Sequence, residues 1–81
     1  MVSANYIQDV ISAGLACDFI QVNGDDGTHF DALIVSPEFS GRNRVQRHQL
    51  VYQALGDRMR AEIHALSMKT LSPEEWAQQQ G

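Results

Sequence analysis

The sequence predicts a small α+β domain with its elements in the order α-β-β-(short turn)-α-β-α. Three observations lead there. Apolar residues recur at three- and four-residue steps in two separate stretches, Ile7 to Leu15 and His48 to Met59, which is the spacing of one helix face. Between them, two β-like runs flank the glycine-bracketed segment GDDGT, the pattern of an antiparallel hairpin. Near the end, a third β-like run leads into SPEEW, which carries the signals of a helix start.

Ser3 is placed to cap the first helix, whose apolar face is Ile7, Val10, Ile11 and Leu15, with Gly14 near its end. The hairpin strands run from Asp18 to Asn23 and from His29 to Ser36, and the two glycines between them can take the positive φ of a tight reversal. Phe30, Ala32 and Ile34 point to one face of the second strand, and Asp31, Leu33 and Val35 to the other. Pattern alone leaves open which set meets the helices. SPEFSG predicts a single turn, with Ser36 as cap, Pro37 at its first position and Gly41 ending it. From about Arg44 a longer helix follows, with His48, Val51, Tyr52, Leu55 and Met59 on one side, Gln46, Gln49, Gln53 and Asp57 away from it, and Arg47 and Arg58 flanking the stripe. Ile63 to Leu71 is the third strand, on which Leu66 and Met68 share parity with His64. In the last helix Ser72 caps, Pro73 opens the first turn and Glu75 completes a capping box. Phe39 and Trp76 are expected to anchor the short elements to the core.

Eighty-one residues with 43% hydrophobic content make a single domain spanning residues 1–81. At this size folding hides roughly 60% of the surface of the unfolded chain, and no disulfide can help because Cys17 is the only cysteine. One thiol fits a reducing compartment, and MVSANY lacks the basic and apolar features of a leader. The expectation is a soluble, cytoplasmic protein with no membrane segment, since no apolar run approaches the ~20 residues of a span.

The charge is divided. Residues 1–41 hold six acids and no Lys or Arg, whereas residues 42–81 hold all six basic side chains and four acids, so the two parts carry −6 and +2 of the net −4. Arg42, Arg44, Arg47, Arg58 and Arg60 fall in one stretch with a single acid, Asp57. A basic face on an acidic chain predicts a local docking surface rather than bulk attraction to polyanions.

Catalytic patterns are missing. The adjacent Asp25 and Asp26 suit a solvated turn, and the chain has no G-x-S-x-G, G-x-x-x-x-G-K or G-x-G-x-x-G motif; it is read as a non-enzyme. His29, His48 and His64 have no helical ligand spacing between them and Cys17 has no CxxC partner, so a closed four-ligand zinc site is not expected. A shared metal centre is different. If the third strand pairs beside the hairpin, His29 and His64 can meet on one edge, and another molecule would supply the remaining ligands. Iron-sulfur clusters accept such a division, because two histidines can replace two thiolates on one iron. The ordinary alternatives are a hydrogen-bonded strand histidine for His64, a solvated loop residue for His29, a structural residue for His48 and a buried, inert thiol for Cys17. For the arginines they are a solvated helix face, phosphate contact, or bidentate recognition of carboxylates. Aromatic platforms for stacking bases are not in evidence near the basic stretch.

FDALIVSPEFSGRNRVQRHQLVYQALGDRM followed by IHALSMKTLSPEEW, preceded by VNGDDGTHF, closely resembles the BolA-like family, in particular its YrbA-type bacterial branch, over essentially the whole chain. The resemblance implies an α+β fold with class II KH-like topology, α-β-β-α-β(-α), with a three-stranded sheet and helices packed on one face. It implies a monothiol glutaredoxin as partner and a 2Fe-2S cluster shared with it, for which the glutaredoxin cysteine and a bound glutathione supply thiolates; the isolated protein would carry no cofactor. The family's histidine in the C-terminal region falls on His64, and its histidine or cysteine before the second strand falls on His29. The family is also described as DNA-binding regulators, a role that would use Arg42, Arg44 and Arg47 in the helical region Arg42–Leu55. Against the usual KH contact with single strands, the turn here reads Gly41-Arg42-Asn43-Arg44, with an arginine where the second glycine of G-x-x-G would allow close backbone approach. Arg58 and Arg60 extend the candidate nucleic-acid or partner surface.

Overall fold

The computed structural model describes residues 3–24, 29–62 and 65–80, and the side chains of all of these except 58–62 and 65. The elements are α1 (Ala4–Gly14), β1 (Phe19–Asn23), β2 (His29–Val35), a 3-10 turn (Pro37–Phe39), α2 (Arg44–Glu62), β3 (Ala65–Leu71) and α3 (Pro73–Gln80). The predicted order is therefore the observed one.

Caps fix where the helices begin. The Ser3 hydroxyl accepts from the Tyr6 amide at 3.1 Å and opens α1. At α3 the box is reciprocal: the Glu75 amide donates to the Ser72 hydroxyl at 3.2 Å, and the Ser72 amide donates to Glu75 Oε1 at 2.7 Å. A second reciprocal box, not anticipated from the sequence, opens α2, where the Asn43 amide donates to Gln46 Oε1 at 3.0 Å and the Gln46 amide to Asn43 Oδ1 at 2.9 Å. Asparagine caps as well as serine does, so the signal was present in Asn43-x-x-Gln46.

The sheet has the order β1-β2-β3. β1 and β2 pair antiparallel from Phe19↔Val35 to Asn23↔Asp31, while β2 and β3 pair parallel from His29↔Ala65 to Val35↔Leu71. Parallel neighbours need a crossover, which the 3-10 turn and α2 provide. Phe30, Ala32 and Ile34 are the set buried against the helices, while Val35 is buried on the other parity, which answers the question the strand pattern left open. They pack with Ile7, Ile11 and Leu15 from α1, Val51 and Leu55 from α2, and Phe39. The two long helices thus share one face of the sheet. α3 is seated at its end, with Trp76 stacked on Phe19 at 5.1 Å between ring centroids; Phe19 has the parity of Val35, that of the opposite face. Fully buried Ser36 joins the layers: its hydroxyl donates to the Ala16 carbonyl at 2.6 Å and accepts from the Glu38 amide, and its own amide donates to the Leu71 carbonyl.

Three expectations change. Tyr52, assigned to the core stripe of α2, is 40% exposed, because the buried line runs through Val51 and Leu55 and a residue one step past Val51 turns by about 100° toward the rim. α2 is not one continuous helix, since Gly56 takes φ 76°, ψ 171°, a region open essentially to glycine alone. Gly24 is not a positive-φ residue; among the described glycines only Gly41 and Gly56 are. Its lack of a side chain serves packing instead, because a Cβ there would lie 2.4 Å from Cδ1 of buried Phe30. The rest of the hairpin reversal, with Asp25 and Asp26, and the Met59 side chain lie outside the described residues.

Candidate functional site

Two places on the surface gather the side chains singled out by sequence. The first is the sheet end where β2 and β3 both begin. His29 opens β2, is exposed, and has Ala65 as its register partner. Ala65 follows His64 directly in the chain; His64 itself lies outside the described residues. The third strand does pair beside the second strand of the hairpin, which was the condition for the two histidines to share an edge. Among the described residues no group of three or more His, Cys, Asp or Glu side chains converges to hold a metal ion. Cys17 is far from thiolate chemistry: burial, then the nearby charges of Glu38 and Asp18, push its thiol above the ordinary value, and its Sγ donates to the Leu15 carbonyl at 3.2 Å.

The second place is a groove of about 520 Å³ between α2 and β3, lined in part by Arg44, Arg47, His48, Lys69, Thr70 and Glu75. The arginines predicted to form one docking face divide here by function. Arg47 is turned into the fold, its side chain only 12% exposed. Its Nε donates to the Arg42 carbonyl at 2.9 Å, its Nη1 to the Thr70 carbonyl at 2.9 Å and to Glu75 Oε1 at 2.8 Å, and its Cζ lies 5.9 Å from the Phe39 ring centroid. Arg42 is exposed but spends its Nε on the Glu38 carbonyl, closing the loop before α2. Arg44, at the first position of α2, is exposed and carries its charge into the groove. The side chains of Arg58 and Arg60 lie outside the described residues.

Two groove features escaped the sequence reading. Lys69 lines the groove from β3, although it lies twenty-five residues beyond Arg44 in sequence; only strand pairing brings it there. Glu75 has two roles, as α3 capping carboxylate and as partner of Arg47. That Arg47 hydrogen bond, and next the Ser72 amide, hold its carboxyl below the usual range. Glu74 is lowered too, chiefly by its own amide and then by the Ser72 hydroxyl.

The model of the BolA family, described as BolA-like protein, matches residues 12–75. The chain belongs to the BolA-like family. Among relatives of this BolA-like chain, the acid stress protein IbaG of Escherichia coli K12 is 39% identical over 74 residues, which cover 90% of this chain and 87% of that protein. The DNA-binding transcriptional regulator BolA of Haemophilus influenzae is 42% identical over 57 residues, covering 70% of this chain and 55% of that one. In structure, a bol-like protein from Babesia bovis superposes with a TM-score of 0.85 at 34% identity, covering 100% of this chain and 96% of that one. The α+β fold is that of the BolA proteins. Among the described residues no helix is long and apolar enough to cross a membrane.

Proposed function

We propose that this BolA-like chain is a non-enzymatic partner of a monothiol glutaredoxin, with which it shares a 2Fe-2S cluster in iron-sulfur trafficking or iron sensing. His64 is the principal ligand contributed by this chain and His29 the second; the glutaredoxin cysteine and glutathione complete the set. The reading rests on the β2–β3 register, in which His29 pairs with the residue that follows His64. Neighbouring parallel strands lie about 4.8 Å apart, so the start of β3 runs beside His29. The donor set suits a divided site, because two imidazoles fill only half of the ligand shell of a two-iron cluster. When bound, the cluster supplies electron transfer and a transferable iron-sulfur unit; imidazole in place of thiolate lowers the anionic charge around the iron and makes the site responsive to pH.

Visible absorption and circular dichroism of the chain mixed anaerobically with a monothiol glutaredoxin, glutathione, iron and sulfide test this. The expected spectrum differs from that of the glutaredoxin alone, is lost with His64→Ala and is altered with His29→Ala. A spectrum identical with and without the chain removes the proposal.

The second reading, a DNA-binding regulator using the basic helix, draws on the name of the Haemophilus influenzae relative, DNA-binding transcriptional regulator BolA. It has less support from the geometry, since Arg47 is committed to Thr70 and Glu75 and Arg42 to Glu38. Binding of that kind would weaken steeply with salt and with Arg44→Ala.

A further inference from the structure

β3 is an edge strand, with β2 on one side and the α2 groove on the other. Its backbone can be assigned side by side. The Leu71 carbonyl accepts from the Ser36 amide and so faces β2; alternation along the strand then sends the amides and carbonyls of Leu66, Met68 and Thr70 to the outer side. The Thr70 carbonyl confirms it, because it is taken by Arg47 reaching across from α2. A strand edge of this kind is a template for another extended segment unless it is blocked. Here the edge is flanked by positive charge on both sides of the sheet, from exposed Arg44 on α2 and from exposed Lys69 of β3, whose register partner Leu33 has the parity facing away from α2. Glu75 already enters this groove as a carboxylate and is received by Arg47 at 2.8 Å.

We propose that the α2–β3 groove binds an acidic, extended peptide segment of a partner protein, added as a further strand along the outer edge of β3. Backbone pairing with Leu66 and Met68 supplies affinity; the side chains of the segment alternate between the helix side, where a Glu or Asp meets Arg44, and the opposite side, where one meets Lys69, the register partner of Leu33. On a chain of net charge −4 an acidic ligand is repelled by the molecule as a whole, and the cations beside this edge offset that repulsion locally. The proposal is independent of the cluster reading, since neither histidine of that site takes part.

The test uses a fluorescent peptide as long as β3, seven residues, of Val and Thr with two adjacent Glu residues so that one carboxylate faces each side, titrated into the isotopically labelled chain. Anisotropy gives affinity and amide NMR shifts give the site. The largest shifts are expected at Leu66, Met68 and Thr70, with little change along β1. Arg44→Glu combined with Lys69→Glu should weaken binding about tenfold, the sum of two rim charge pairs. The same peptide N-methylated at alternate residues keeps its charge and should lose binding. Shifts centred on β1, binding indifferent to charge reversal, or binding retained after N-methylation would each overturn the proposal. So would a single-stranded oligonucleotide of equal charge that displaces the peptide from the groove at lower concentration, which would assign the surface to nucleic acid.

Discussion

Arg47 Nη1 lies 2.8 Å from Glu75 Oε1, and the same nitrogen donates to the Thr70 carbonyl at 2.9 Å. One side chain on α2 therefore ties the last residues of β3 to the first turn of α3. Because Glu75 Oε1 also accepts from the Ser72 amide, the capping box of α3 and the α2 contact share a single carboxylate oxygen.

Arg47→Ala should destabilise the fold rather than merely discharge its surface. The hydrogen bonds to the Arg42 and Thr70 carbonyls are each worth about 1 kcal/mol net, so a loss of about 2 kcal/mol is expected in urea unfolding. Arg44→Ala, on an exposed side chain that makes no hydrogen bond or ion pair among the described residues, should stay within about 0.5 kcal/mol of the parent. Equal effects of the two substitutions would contradict the division of labour between them.

The Glu75 carboxyl is lowered in the folded protein, by Arg47 first. A depressed carboxylate contributes stability that is present above its unfolded pKa and lost as pH falls through the folded one. α3 should therefore keep its attachment down to ordinary carboxylate pKa values and loosen only below them. Trp76 stacks on Phe19, so its fluorescence reports the change. Glu75→Gln should shrink the acid-induced step, and a variant that follows the parental pH curve would show that this carboxylate does not govern α3.

The elements were legible because their signals are local. Ser3, Ser36 and Ser72 each cap where the sequence placed them, and the apolar spacing of Ile7, Ile11 and Leu15 needs only the geometry of one helix. The inward set on β2 was not legible: Phe30, Ala32 and Ile34 alternate with Leu33 and Val35, which are also apolar, and only the helices above the sheet choose between them. At the candidate site, the expected pairing of β3 beside the hairpin is found, with Ala65 as the register partner of His29. The inward turn of Arg47 depends on Glu75, twenty-eight residues later. No helical wheel of α2 contains that partner.

Gly24 has the sequence context of a turn glycine and the structural role of a packing one. An added Cβ would stand 2.4 Å and 2.7 Å from two ring carbons of Phe30, and that ring is buried in the core and has no room to swing away. Gly24→Ala should therefore cost about 1–3 kcal/mol by overpacking, with a lowered thermal midpoint. The double substitution Gly24→Ala with Phe30→Leu should recover part of the loss. A neutral Gly24→Ala would mean that the ring and the strand end are not in this contact.

Gly56 gives the sharpest test, because two descriptions of α2 predict opposite signs. In the interior of a continuous helix, replacing glycine by alanine stabilises by roughly 0.5–1 kcal/mol through the entropy of the unfolded chain. At φ 76°, ψ 171° the alanine Cβ meets its own backbone, and the cost is on the order of 1–3 kcal/mol. Nothing lies within 4 Å of where that Cβ would stand, so neighbouring groups contribute no clash and the sign reports backbone conformation alone. Urea unfolding of Gly56→Ala is expected to show destabilisation, with Val51 and Leu55 still buried before the break. A gain in stability would establish instead that α2 runs unbroken past Gly56, and with it that the core stripe continues along the helix as the sequence periodicity predicts.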